Sequence, residues 1–182
     1  MSQSGRFCCI RLAAPQDGAA ILSFQRAAIS RTPDGIYGRP MKEAWWRTPA
    51  AGVDELLTGG RYFVAERDGR LIAGAGWSPC AGMPDLAVIR AVFVHPDHGT
   101  CGLGRRLVHT AEDAATTAGS TGIMVSAALT AIGFYEKLGY EAAELVSIEV
   151  EKGVWILCRK MWKHLIEDCS QPGRPLDCAN SA

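Results

Sequence analysis

Three glycines, Gly99, Gly102 and Gly104, lie between an apolar run and an amphipathic segment, within the sequence HPDHGTCGLG. Because glycine has no Cβ, a ligand can come into contact with the main chain there, and the start of a helix offers main-chain N–H groups without partners. A turn of this kind binds anions, most often phosphates. The alternative is an ordinary strand-to-helix turn whose glycines only relieve steric crowding. The turn alone leaves both interpretations open.

Two other kinds of reactive residue stand in or beside this turn. Cys101 lies inside it, where the start of a helix favours a reactive thiolate, although a small residue that simply fits the turn is the favoured interpretation. His95 and His98 are three residues apart, but Pro96 denies them a helical face, and no third ligand is evident. We therefore expect no metal site.

The composition is that of one globular domain. The chain has 182 residues, of which 48% are hydrophobic, with 19 basic and 19 acidic residues, so a face for nucleic acid is not expected. No apolar stretch reaches the roughly 18 residues of a membrane span, and the first residues lack the features of a signal peptide. The seven cysteines form no C-x-x-C pair, which argues against zinc and a disulfide framework. We expect a cytoplasmic protein that binds neither nucleic acid nor membrane.

Hydrophobic periodicity predicts a series of strands and helices. The predicted order is β, α, a loop-rich helical cover, then β, β, β, α, β, α, β, β. Residues 62–66 and 71–77 form a hairpin whose turn contains Asp68 and Gly69. A loop with Pro79, Gly82 and Pro84 separates it from the strand at 88–94.

The helices predicted on either side of the next strand are both closed by glycine. The first begins near Gly104 and ends before Gly119, and the strand at 122–127 follows at once. The second covers residues 130–138 and is closed by Gly139. These elements predict an α/β protein of the α+β type, with a central mixed sheet of six to seven strands and helices on both faces. We expect a flexible N-terminus over 1–7, a single domain over 8–163 and a polar, disordered tail over 164–182.

Across residues 8–163 the chain resembles the GCN5-related N-acetyltransferase (GNAT) superfamily. The resemblance rests on four pieces in order: the hairpin YFVAERDGRLIAGAGW, the strand and turn AVFVHPDHGTCGLGRRLV, the segment AIGFYEKLGY and a last strand that ends in RKMW. It implies a sheet that splays in the middle. It also implies acetyl-CoA as co-substrate, bound without a metal.

In that family the glycine turn reads Q/R-x-x-G-x-G/A, and its main-chain N–H groups hold the pyrophosphate of coenzyme A. Gly102 and Gly104 match this form, whereas Gly99 replaces the usual Gln or Arg. Arg105 and Arg106 are candidates to supply the missing charge, or are ordinary solvated arginines. By resemblance the cofactor-binding residues include the strand that pairs with the pantetheine arm; they are Val92, Phe93, Val94, Gly99, Thr100, Cys101, Gly102, Leu103, Gly104 and Arg105.

The resemblance also implies roles in the reaction of an amine with a thioester. Tyr135 occupies the position of the family's general acid, which protonates the leaving thiolate. The main-chain N–H of Val94 is the candidate to polarise the carbonyl oxygen. The family often has an asparagine where this chain has Ala128. The general base stays open among six residues: Glu43, Glu66, Asp85, His95, Asp97 and His98.

The acceptor implied by the family is a primary amine of a small molecule or peptide. Tyr37, Trp45, Trp46 and Trp77 are candidates for its pocket, although tryptophans in a helical cover more often just pack. Because Gly99 and Ala128 depart from the family pattern, a catalytically weak or inactive acyl-CoA-binding regulatory module is the alternative function. A nucleotide or dinucleotide enzyme is disfavoured, since G-x-x-G-x-G is neither dinucleotide motif nor P-loop. Proteins of this fold often pair through their C-terminal strands, so residues 145–150 are a candidate homodimer interface.

Overall fold

The computed structural model describes residues 8–47, 52–99 and 102–165. The predictions made for 1–7, for Thr100 and Cys101 and for most of the tail lie outside these ranges. Within them, no helix is long and apolar enough to span a membrane.

The described chain follows the predicted order of strands and helices. The first half contains β1 (Cys9–Leu12), α1 (Gly18–Ser30), α2 (Arg39–Arg47), α3 (Val53–Thr58), β2 (Tyr62–Arg67) and β3 (Arg70–Cys80). The second half contains β4 (Met83–Val94), α4 (Leu103–Thr117), β5 (Gly122–Ala128), α5 (Ile132–Glu136), β6 (Glu141–Glu151) and β7 (Val154–His164).

Seven strands form one mixed sheet in the order β1-β2-β3-β4-β5-β7-β6. Neighbouring strands are antiparallel except β4 and β5, which are parallel. That pairing covers only three residues of each strand: Leu86, Ala87 and Val88 opposite Gly122, Ile123 and Met124. The two strands therefore separate beyond Val88, as the splayed sheet implied by the family resemblance requires.

Helices cover both faces of the sheet, as predicted. Val108, Ala111 and Ala115 of α4 recur at helical spacing and pack against Ile89 and Ile123 of the two central strands. On the opposite face, Ile21 and Phe24 of α1 pack with Leu56 of α3 against Tyr62 and Val64 of β2. Burial on both sides holds the central strands firmly while leaving the gap between them open.

Two of the predicted element boundaries are wrong. The loop expected around Pro79, Gly82 and Pro84 is mostly strand, because β3 and β4 continue as a long hairpin whose tight turn needs the positive φ of 76° at Gly82. The helix expected over 130–138 is shorter, since residues 129–131 form a 3₁₀ turn and the regular helix covers only Ile132–Glu136. Both differences reflect tertiary pairing that local patterns do not contain.

Candidate functional site

Two cavities lie on either side of the point where β4 and β5 separate, and both are lined by Tyr135. The turn cavity, of about 340 Å³, is lined by Val92, Val94, Gly99, Gly102, Gly104, Arg105, Ala131, Phe134, Tyr135, Lys137 and Leu138. The gap cavity, of about 360 Å³, is lined by residues 88–93 of β4 and 125–128 of β5, with Trp45, Ala131, Tyr135, Ile148, Glu149, Val150, Ile156 and Cys158. Val92 and Ala131 are also shared, so the two cavities adjoin each other and together form one candidate site.

The glycine turn is built by the start of α4. Gly102 precedes the helix with a φ of 67°, a conformation that a residue with a Cβ rarely adopts. A Cβ on Gly104 would lie 3.3 Å from the ring of Phe134, so any side chain there would require the ring to shift by a few tenths of an ångström. A Cβ on Gly99 would meet only the Pro96 carbonyl oxygen, at 3.6 Å, an ordinary contact.

The predicted residues of the turn do not all line the cavity. Leu103 is buried, with only 2% of its surface exposed, and packs with Leu107 and Ala73 in the core. Arg105 lines the turn cavity, whereas Arg106 donates a hydrogen bond to the Cys8 carbonyl oxygen at 3.5 Å. Thr100 and Cys101 lie outside the described residues. Only one of the two candidate arginines is therefore placed to meet an anion.

One edge of β4 faces the gap. Beyond Val88, the described residues contain no strand that pairs with this edge, since β5 has separated. Val92 and Val94 line the turn cavity, and Phe93 lines the gap cavity. The main-chain groups of this segment can therefore accept an added extended chain as a further strand would.

Tyr135 lies at the junction of the two cavities, with only 4% of its surface exposed. Its ring packs edge-on against Phe134 and Tyr140, with centroids 5.0 Å and 5.3 Å away. Burial raises the pKa of the Tyr135 phenol above its ordinary value, and the carboxylate of Glu112 raises it further. Tyr135 therefore keeps its proton at neutral pH.

An aromatic row closes the gap cavity on the side of α2. The Trp45 ring meets Tyr37 and Phe93 edge-on, with centroid distances of 5.9 Å and 6.1 Å. The Tyr37 hydroxyl donates a hydrogen bond to the Leu157 carbonyl oxygen at 2.6 Å and accepts one from the Leu129 N–H at 3.0 Å. Trp45 is thus the aromatic residue of the cover that reaches the cavity, with Tyr37 packed behind it.

The other two predicted tryptophans lie elsewhere. Trp77 is buried in the core beside α4. Trp46 lines a third cavity, of about 440 Å³, with Arg26, Ser30, Glu43 and Arg47. This third cavity shares no residue with the other two.

None of the six candidate general bases, all of which are described, lines the turn cavity or the gap cavity. Glu66 instead accepts a hydrogen bond from Arg11 at 3.0 Å. The ring of His98 lies 3.4 Å from an Arg67 nitrogen. Among the described residues, no three His, Cys, Asp or Glu side chains form a group that could hold a metal ion.

Sequence reasoning missed several residues of the gap cavity, among them Arg90, Ser126, Glu149 and Cys158. Arg90 forms an ion pair of 3.4 Å with Glu55 of α3. Glu149 accepts a hydrogen bond from the Gly153 N–H at 2.8 Å. Burial raises the pKa of the Cys158 thiol to about 11, which keeps it protonated. These residues stand in ordinary strand sequences, so no motif could have marked them.

Comparison with known proteins finds a family match over part of the chain. The model of the acetyltransferase (GNAT) domain family matches residues 58–142. The comparison with curated proteins found no match. A GCN5-related N-acetyltransferase from Rhodopseudomonas palustris is 24% identical, with a TM-score of 0.70, over 90% of this chain and 99% of that one.

Two further solved structures share the fold at similar distance. YncA from Salmonella typhimurium, solved with its cofactor acetyl-CoA, is 22% identical, with a TM-score of 0.65 over 91% of this chain and 98% of that one. PaiA N-acetyltransferase from Thermoplasma acidophilum, solved with coenzyme A, is 19% identical, with a TM-score of 0.70 over 87% of this chain and 99% of that one. The resemblance drawn from the sequence is therefore confirmed: residues 58–142 match the GNAT acetyltransferase domain family, and the chain has the fold that these structures share.

Proposed function

We propose that this protein transfers an acetyl group from acetyl-CoA to a primary amine of a small molecule or peptide, with Tyr135 as general acid. The observation that carries the proposal is that Tyr135 lines both cavities at the gap between β4 and β5. A residue in this position can contact a donor that enters from one side and an acceptor that enters from the other. Both substrates are then bound together, and the amine attacks directly.

The turn cavity fits the donor. Its glycines bring the main chain at the start of α4 close to the cavity, and Arg105 and Lys137 add positive charge. The open edge of β4, with Val92 and Val94, fits the extended pantetheine arm. The acetyl-CoA and coenzyme A bound in the solved structures from Salmonella and Thermoplasma support this assignment through their shared fold.

In the proposed reaction the amine nitrogen attacks the thioester carbonyl carbon. The C–N bond forms, the C–S bond breaks, and the Tyr135 hydroxyl gives its proton to the departing sulfur. The amine loses one proton to solvent, which then restores the phenol. We assign polarisation of the carbonyl oxygen to the main-chain N–H of Val94. Val94 is the last residue of β4 and lines the turn cavity.

The raised pKa of Tyr135 affects this step in two ways. It keeps the proton on the phenol at neutral pH, but it also makes the phenol a weaker acid. The sulfur leaves into the same buried space, where its own charged form is disfavoured for the same reason. The free-energy cost of the proton transfer is set by the difference between the pKa values of the phenol and the leaving thiol, and burial raises both pKa values.

The gap cavity is the proposed acceptor site. Its lining is mostly apolar, with Trp45 and Phe93 on one side and Arg90, Ser126 and Glu149 as its polar residues. An aromatic wall of this kind suits an amine with an apolar or cationic body. Because the six candidate bases lie outside both cavities, we propose that the amine loses its proton to water rather than to one of them.

The deciding experiment compares the protein with its Tyr135→Phe variant. Purified protein should release free thiol from acetyl-CoA in the presence of a panel of amines, and the variant should lose about a hundredfold or more in kcat. Calorimetry should give the two proteins equal affinity for coenzyme A, because the phenol contributes to the reaction and not to the anion site. Absence of thiol release with every amine, or an unchanged kcat in the variant, would contradict the proposal.

The alternative function is an acyl-CoA-binding regulatory module with little or no turnover. It is favoured by Gly99, which offers no side chain at the head of the turn, and by Ala128, which lines the gap cavity where the family often has asparagine. The same experiment separates the two functions, since a regulatory module binds coenzyme A but releases no thiol.

The proposed homodimer and the cytoplasmic location both stay predictions. The β6–β7 hairpin exposes Leu145, Trp155 and Leu157, at 48%, 52% and 42% of their surface, which is consistent with a self-association surface. A molar mass of one chain by light scattering would rule the dimer out.

A further inference from the structure

The strand that lines both cavities contains a β-bulge at its centre. Gly74 pairs with Phe93 and Gly76 with Arg90, so the two residues between them on β4, Ala91 and Val92, face one residue of β3. An irregularity of this kind bends the strand and increases its twist. The bulge lies where β4 has separated from β5, and its residues line the gap cavity.

The bulge is held in a conformation that its own residue disfavours. Ala91 has a φ of 51°, and an L-residue with a Cβ rarely adopts this region. Such a residue persists only when contacts around it impose the conformation.

Tyr62 supplies the contact from the other side of β3. Its hydroxyl donates a hydrogen bond of 2.9 Å to the Ala91 carbonyl oxygen, and its side chain is fully buried. To reach Ala91 from β2, the ring crosses β3 over two glycines. A Cβ on Gly74 would lie 2.6 Å from the Tyr62 ring, and one on Gly76 would lie 2.7 Å from it. The two glycines thus form the path that the ring needs.

Gln25 joins this contact to α1. Its Nε2 donates a hydrogen bond of 3.2 Å to the Tyr62 hydroxyl, and only 2% of Gln25 is exposed. The side-chain amide oxygen of Gln25 has no hydrogen-bond partner among the described residues, so the bond to Tyr62 is what orients this side chain. The polar chain runs from α1 through Tyr62 to the bulge, in a region otherwise filled by apolar side chains.

We infer that Tyr62, supported by Gln25, is a positioning residue that holds the β4 bulge in the shape that presents residues 92–94 to the acyl donor. The inference rests on the proposed function, since it gives Tyr62 its role through the pantetheine arm. Tyr62 itself touches no substrate, because it lines neither cavity.

The test is the Tyr62→Phe variant with two ligands. Coenzyme A needs both the glycine turn and the β4 edge, whereas 3′-phosphoadenosine 5′-diphosphate lacks the pantetheine arm and needs the turn alone. The variant should bind coenzyme A about threefold to tenfold more weakly, the range expected for one lost hydrogen bond, and should bind the nucleotide unchanged. Equal weakening for both ligands, or none for either, would overturn the inference.

Two controls keep the result interpretable. Ile123→Val is a conservative change at a fully buried residue of β5 that lines neither cavity, so it should lower stability without changing either affinity. If Tyr62→Phe fails to fold, Gln25→Leu takes its place. It removes the hydrogen bond from Gln25 to the Tyr62 hydroxyl and should also weaken coenzyme A binding.

If the unaltered protein binds neither ligand, the proposed function fails. In that case, the rate of main-chain hydrogen exchange at residues 91–94 still tests whether Tyr62 holds the bulge. This rate should rise in Tyr62→Phe and should not rise in Ile123→Val.

A second substitution tests the bulge directly. Glycine adopts a φ near 51° without strain, so Ala91→Gly should restore part of the coenzyme A affinity that Tyr62→Phe loses. A double variant that binds no better than Tyr62→Phe would show that the bulge conformation is not what Tyr62 maintains.

Discussion

The Tyr140 hydroxyl donates a hydrogen bond of 2.9 Å to the carboxylate of Glu112, inside the layer between α4 and β7. Lys163 donates to the same carboxylate at 3.0 Å, and the ring of His109 lies 2.9 Å from it. Only 5% of Glu112 is exposed, so the charge is stable there because these partners surround it. The cluster joins α4 to the last strand directly beside Tyr135.

Replacing Glu112 with alanine should therefore destabilise the fold by about 3 kcal/mol, because it leaves a buried hydroxyl and an ammonium group without their acceptor. Urea denaturation measures the change. Asp113→Asn is the matched control on the neighbouring, exposed position of α4 and should stay within about 0.5 kcal/mol of the unaltered protein. Equal stability of the two variants would show that the cluster does not hold α4 to β7.

Burial of the tyrosines predicts a loss of stability at alkaline pH. The pKa values of Tyr37, Tyr62, Tyr135 and Tyr140 are all raised, with burial as the largest cause. Above the unfolded value of about 10, the folded protein keeps protons that the unfolded chain releases. The stabilising effect is thus present below pH 10 and is lost as the pH rises, by about 1.4 kcal/mol per pH unit for each tyrosine.

Tyr140→Phe isolates one of these contributions. The variant should lose stability between pH 10 and 12 less steeply than the unaltered protein, by about 1.4 kcal/mol per pH unit. Its lower stability at neutral pH, from the lost hydrogen bond to Glu112, is a constant offset that does not change this slope. Urea denaturation at a series of pH values gives both quantities, and parallel curves would contradict the prediction.

The glycine turn yields a prediction that separates its three glycines. Gly104→Val should weaken coenzyme A binding about tenfold or more, because a side chain there must displace Phe134 and Val94 from the cavity wall. Gly102→Pro should do the same for a different reason, since proline cannot adopt a φ of 67°. Gly99→Gln should be tolerated or should strengthen binding, because its Cβ makes only an ordinary contact. Calorimetry with coenzyme A gives all three results, and a harmful Gly99→Gln would show that this position needs glycine.

The parts of the fold that follow local patterns could be predicted from the sequence. Helix α4 repeats Leu103, Leu107 and Ala111 on one face, and the strand before it is β-branched, so both elements and the turn between them are encoded locally. Tyr135 could be placed at the site because the segment around it resembles a family.

The shape of the gap could not be predicted, because it depends on contacts between distant residues. The positive φ of Ala91 is maintained by Tyr62, which lies 29 residues earlier in the chain. Nothing in the sequence around Ala91 marks a bulge, since alanine is not typical of that conformation. For the same reason the sequence does not show that Arg90 and Glu149 line one cavity, because they stand on separate strands that meet only in the folded sheet.

The last prediction concerns the charge that replaces the missing side chain at Gly99. Lys137 and Arg105 reach the turn cavity from opposite sides, one at the end of α5 and the other in the first turn of α4. We expect Lys137→Ala to raise the Kd for coenzyme A about threefold to tenfold, because charge-assisted contacts to phosphate are lost, and the loss should shrink at high salt. Binding of acetyl-pantetheine, which has no phosphate, should be unchanged. Lys152→Ala, in the exposed turn between β6 and β7, is the matched control and should bind both ligands normally. Equal loss of both ligands in Lys137→Ala would place the lysine at the pantetheine arm rather than at the phosphates, and no loss of either would leave the turn cavity dependent on Arg105 and the main chain of α4 alone.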